Sequence, residues 1–85
     1  MKKPAFAGFF VYQDLIKKLI ELRESKNLTQ VALARRLEKP QSYVSKVQIL
    51  ERRLDIVELI DWLNALAIEF EAFIVKEILV ISSKA

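Results

Sequence analysis

Apolar residues recur every three to four positions between Tyr12 and Leu22. Tyr12, Leu15, Ile16, Leu19, Ile20 and Leu22 form one stripe, and Lys17, Lys18, Glu21 and Glu24 fall mostly off it. That period predicts an amphipathic helix over about Tyr12 to Ser25. Lys26-Asn27 closes it, since Asn tolerates the left-handed conformation at a helix end. Thr29 then offers an N-cap hydroxyl to a short second helix, about Gln30 to Leu37, with Leu33 and Leu37 on its buried edge and Ala34 between them. Lys39-Pro40 breaks that helix, because Pro pushes the preceding residue out of the helical region. A third helix begins at Pro40 or Gln41. Its buried residues are Val44 and Val47, which leaves Gln41, Ser42, Tyr43, Ser45 and Lys46 on other faces.

Asp55 with Glu58 three residues later reads as a capping box that starts a fourth helix. Ile56, Leu59, Ile60, Leu63 and Ala67 form its stripe, with Trp62 off it. A fifth element runs from about Glu69 to Ile81. Phe70, Phe73, Ile74 and Ile78 fit a helix, whereas Ile78-Leu79-Val80-Ile81 is β-branched enough to end as a strand. The pattern is five helices with short connections.

Composition narrows the chemistry. Eighty-five residues suit one domain. The sequence has no Cys and no His, which removes disulfides, thiol nucleophiles, the usual zinc sites and His-based relays. One Gly and two Pro exclude a Gly-rich phosphate loop. Asp55, Glu58 and Asp61 have no such partner for acid–base work and read as a cap and a solvated face. The expectation is a protein that is not an enzyme and carries no cofactor and no metal. Lys2 and Lys3 precede a short apolar run, but Gln13, Asp14, Lys17 and Lys18 follow where a signal cleavage site belongs. The apolar C-terminal run falls short of the ~20 residues of a membrane span. A cytoplasmic protein with no membrane partner is expected. An apolar share of 53% in so small a chain suggests surface buried against another copy.

Two short helices joined by a few residues, the second with an exposed polar face, have the layout of a helix-turn-helix. The run Leu28-Thr29-Gln30-Val31-Ala32-Leu33-Ala34-Arg35-Arg36-Leu37, continued by Gln41-Ser42-Tyr43-Val44-Ser45-Lys46-Val47, resembles the Cro/lambda-repressor-like DNA-binding domains, also called the Xre family. The resemblance extends from about Leu19 to Leu66. It implies an all-α, compact five-helix lambda-repressor-like fold. The expected organisation is an apolar N-terminal arm over 1–11, the helix-turn-helix domain over 12–67, and a helical extension over 68–85 that dimerises.

The resemblance implies double-stranded DNA as the partner, with Gln41, Ser42, Tyr43, Ser45 and Lys46 facing bases in the major groove. Lys46 suits guanine O6 or N7, and Gln41 suits adenine. Thr29, Gln30, Arg36, Lys39, Arg52 and Arg53 are the expected phosphate contacts. Charge agrees in sign. Between Arg35 and Arg53 six basic residues stand against two acidic ones, whereas between Asp55 and Glu77 six acidic residues stand against Lys76 alone. A homodimer is expected through Trp62, Phe70, Phe73, Ile74 and Ile78 with the arm residues Phe6, Phe9 and Phe10, placing two third helices on a palindromic site. The functional expectation is a sequence-specific transcriptional regulator, a repressor. The alternative is an interaction module of the same fold, antitoxin-like, that binds a protein partner through its apolar termini.

Three positions depart from the family's pattern. Glu38 and Leu50 stand where Gly is usual. A left-handed non-Gly residue costs on the order of 1 kcal/mol, so the turn at Glu38 is strained or reshaped. Leu50 lets the third helix run on past Gln48, which would turn Arg52 and Arg53 away from phosphates. Gln48 stands where a Glu usually pairs with an Arg matching Arg23; its carbonyl can still accept that hydrogen bond.

Overall fold

The computed structural model describes residues 3–80, with the side chains of residues 8–77, 79 and 80. These residues are all-helical: α1 Lys3–Ser25, α2 Gln30–Leu37, α3 Gln41–Gln48, α4 Ile56–Ala65 and α5 Phe70–Phe73, the last continuing through a π-helical turn, Ile74–Ile78. Helix α2 packs on α3 and α4, α1 on α3 and the π-helical turn, and α5 on α4. Tyr12, Ile16, Leu19, Leu33, Ala34, Val44, Val47, Leu59, Trp62, Leu63, Leu66 and Phe73 make the core.

Caps set the boundaries. The Thr29 hydroxyl accepts from the Ala32 N–H at 3.0 Å, which opens α2. At α4 the Asp55 carboxylate accepts from the Glu58 N–H at 2.7 Å and Glu58 accepts from the Asp55 N–H at 3.0 Å, the expected box. Four helix ends close on residues with positive φ, namely Asn27, Glu38, Leu50 and Ala67, and none is glycine. Each is followed by the paired bonds of a Schellman motif: Lys39 N–H to Ala34 O with Glu38 N–H to Arg35 O, and likewise after Asn27, Leu50 and Ala67. Those paired bonds, with Leu28 and Ile68 packed on the core just beyond two of the ends, offset the left-handed strain.

Three expectations change. Helix α1 does not start at Tyr12; the segment expected as an arm is helical from Lys3, with Pro4 in the first turn where its missing N–H costs nothing. Helix α3 does not run past Gln48, because Leu50 adopts φ 68° and packs against the core, as a Gly would permit without strain. The fifth element is helical through Val80, as the five-helix pattern predicts, with Leu79 N–H reaching back to Ile74 O. In α4 the buried stripe is Leu59, Trp62, Leu63 and Leu66, so Trp62 is on it, while Ile56 in the first turn and Ala67 beyond the last are exposed.

Candidate nucleic-acid interface

The turn between α2 and α3 is three residues long, and Pro40 in extended conformation aims the chain into α3. Leu33 and Ala34 of α2 meet Val44 and Val47 of α3 in the core. Ala34 is small enough to let the helices cross closely. The two N-termini are tied together by Gln41 Nε2, which donates to Gln30 Oε1 at 3.1 Å. Arg23 braces α3 from behind: its Nε donates to Gln48 Oε1 at 3.0 Å and its Nη1 to the Leu28 carbonyl at 2.6 Å. Gln48 therefore does accept the hydrogen bond that a Glu would otherwise take as an ion pair.

With Val44 and Val47 turned inward, Gln41, Ser42 and Lys46 are exposed along the outer face of α3 and Ser45 is half-buried beside them. Lys46 makes no ion pair among the described residues. Four of the five residues expected to face bases thus share one polar surface.

Tyr43 does not join them. Its hydroxyl oxygen accepts from Trp62 Nε1–H at 3.1 Å, and the two rings meet edge-on with centroids 6.2 Å apart. Lys39 Nζ lies 5.5 Å and the Arg52 guanidinium 4.9 Å from the Tyr43 ring centroid. Burial, the largest cause, raises the Tyr43 pKa above its ordinary 10.0, so the hydroxyl stays neutral. Tyr43 is a strut between α3 and α4, its hydroxyl taken by the Trp62 indole.

The residues expected at phosphates divide in the same way. Arg36 Nη1 donates to the Ala65 carbonyl at 2.8 Å, so this cation satisfies the C-terminus of α4. Arg52 makes a two-pronged ion pair with Glu58 at 2.8 and 3.2 Å and donates to the Arg53 carbonyl. The Arg53 guanidinium stacks 4.2 Å from the Tyr12 ring centroid. Thr29 and Gln30 spend side-chain atoms on the cap and on Gln41. Lys39, in the turn before α3, and Arg52 and Arg53, in the loop after it, remain exposed.

Two residues assigned to a dimer contact lie in the monomer core instead. Trp62 is 1% and Phe73 2% exposed, because each falls on the inward phase of its helix. Phe70 and Ile74 are half-buried. The side chains of Phe6 and Ile78 lie outside those described. Large exposed apolar residues do occur on the chain's two terminal helical elements: Phe9 and Phe10 on α1, and Val75, Leu79 and Val80 near the C-terminus. Sequence reasoning also passed over Ile49, the first residue after α3, although helical phase places it opposite Val44 and Val47.

A helix-turn-helix family model of Cro/C1 type matches residues 19–73, which takes in α2, the turn, α3 and α4 entire and ends at the core residue Phe73. The family is one of DNA-binding domains and not of enzymes. No curated protein matches the chain. Among the described residues no helix is long and apolar enough to cross a membrane. The match covers well over half of the chain and coincides with the elements whose caps, crossing and exposed α3 face are described above, so the chain belongs to the Cro/C1-type helix-turn-helix family.

Proposed function

We propose that the protein is a sequence-specific DNA-binding transcriptional regulator that lays α3 in the major groove as a homodimer and represses by occupying its site in the cytoplasm. One observation supports this most: a rigid, outward polar face of Gln41, Ser42, Ser45 and Lys46 on a helix held by α2, Arg23 and Trp62. Base edges offer donors and acceptors that such side chains match. Thr29, Gln30, Lys39, Arg52 and Arg53 flank that face and suit phosphates, which position a domain without reading sequence. Dimerisation is carried by Phe9, Phe10, Val75, Leu79 and Val80 in place of Trp62 and Phe73, with the half-buried Phe70 and Ile74 contributing at its edge. A two-fold pair would set two α3 helices about one DNA turn apart.

The same exposed apolar residues favour a second reading, an antitoxin-like module that binds a protein partner through its termini. Selection from a randomised duplex pool, with enriched sequences retested by fluorescence anisotropy at low and physiological salt, separates the two. A palindrome whose affinity falls steeply with salt supports the regulator. Absence of enrichment and of binding at low salt supports the partner-binding module.

A further inference from the structure

Successive residues of a helix are about 100° apart, so residues at spacings of three, four and seven share a face. On α3 the fully buried Val44 and Val47 fix the inward direction. Ser42, Lys46 and Ile49 recur at four and then three residues on the opposite side. Ile49 therefore lies on the centre line of the outward polar face, and the residue is 59% exposed.

The backbone holds it there. The Ile49 N–H donates to the Ser45 carbonyl at 3.1 Å, and the chain then reverses through Leu50 at φ 68°. Both the Glu51 and the Arg52 N–H groups return to the Lys46 carbonyl, at 2.8 and 3.2 Å. Leu50 packs on the core while its neighbour Ile49 points the other way. An exposed aliphatic side chain is thus fixed at the end of a row of Ser and Lys side chains. In the major groove the one apolar feature of the base edges is the C5-methyl group of thymine.

We propose that Ile49 is a specificity-determining residue that reads a thymine methyl group in each half-site, beside the polar readers Ser42, Ser45 and Lys46. This rests on the DNA-binding reading above. The duplex enriched by the wild-type protein is resynthesised with deoxyuridine in place of each thymine in turn, which deletes one methyl at a time. The wild-type protein loses affinity about three- to fivefold at one thymine per half-site, the worth of one buried methyl group. Ile49→Ala and Ile49→Ser, both on an exposed position and checked for unchanged helicity, bind the thymine and deoxyuridine duplexes at that position nearly alike.

Equal deoxyuridine sensitivity in wild type and Ile49→Ala overturns the proposal. So does an Ile49→Ala protein that falls to monomers yet keeps its methyl discrimination, which would give the side chain to a contact between copies. If the wild-type protein enriches no duplex at all, the DNA-binding reading fails and this proposal with it. Enrichment without a methyl effect removes only the proposal.

Discussion

Glu38, Leu50 and Ala67 each hold a left-handed backbone that glycine would hold without a Cβ penalty. Glu38 and Ala67 are exposed, so exchange for glycine sacrifices little packing. Glu38→Gly and Ala67→Gly should each raise stability by about 0.5–1 kcal/mol, read as a higher urea midpoint at unchanged slope. Leu50→Gly should gain nothing, because that side chain is packed against the core. The Tyr43 hydroxyl is the acceptor for the buried indole of Trp62. Tyr43→Phe leaves that N–H without a partner and should cost about 1–3 kcal/mol in chemical denaturation. Glu58 gives a pH signature. The Arg52 guanidinium, first, and the Asp55 N–H hold its carboxyl below the ordinary value of 4.5. A group whose folded pKa is depressed stabilises the fold above its unfolded pKa and loses that contribution as pH falls. Urea midpoints should therefore drop as pH falls from about 4.5 through the lower folded value, and Glu58→Gln should flatten that part of the profile.

At the scale of the helices, α2, α3 and α4 were legible because each carries its own punctuation: Thr29, Lys39-Pro40, and Asp55 with Glu58. The two terminal elements carry no such marks at their outer ends. Nothing before Tyr12 breaks the helix, since Pro4 is tolerated in a first turn and Ala5 and Ala7 favour helix; α1 simply continues back to Lys3. Gly8 lies inside it, and a Cβ placed there meets nothing within 4 Å. Gly8→Ala should stabilise α1 by up to about 1 kcal/mol and raise helical ellipticity, a result that an unstructured arm would not give. Leu50 misled for a different reason: core packing of its side chain outweighs a strain of about 1 kcal/mol, so α3 stops where a glycine would have stopped it. Arg36 could not be placed from its type, because a surface Arg suits a phosphate and a helix C-terminus equally well. Held on the Ala65 carbonyl, Arg36→Ala should lower stability by about 0.5–1 kcal/mol and leave the salt dependence of DNA binding unchanged.

Over the whole molecule, one helix pair and a change of sign in the charge carry the functional reading. The basic run from Arg35 to Arg53 spans α3 and the loop behind it, and the acidic run begins at the cap of α4. The polar readers were legible because Val44 and Val47 define the buried phase of α3, which leaves Gln41, Ser42, Ser45 and Lys46 outside. Tyr43 was not, since only the three-dimensional arrangement brings Trp62 of α4 beneath it. Trp62 and Phe73, expected at a contact between copies, lie in the core of the single chain, because each falls on the inward phase of its helix. The core absorbs both, while Phe9, Phe10, Val75, Leu79 and Val80 of the two terminal elements stay exposed.

The most direct test compares the base preferences of the wild-type protein and Lys46→Ala on the same randomised duplex pool. Lys46 is exposed, so its removal spares the fold. The account predicts that the variant still binds and loses its preference at one base pair, at symmetry-related positions in both half-sites, a discrimination worth about 1–3 kcal/mol per site. Identical preferences in the two proteins would contradict the placing of the outer face of α3 against the bases.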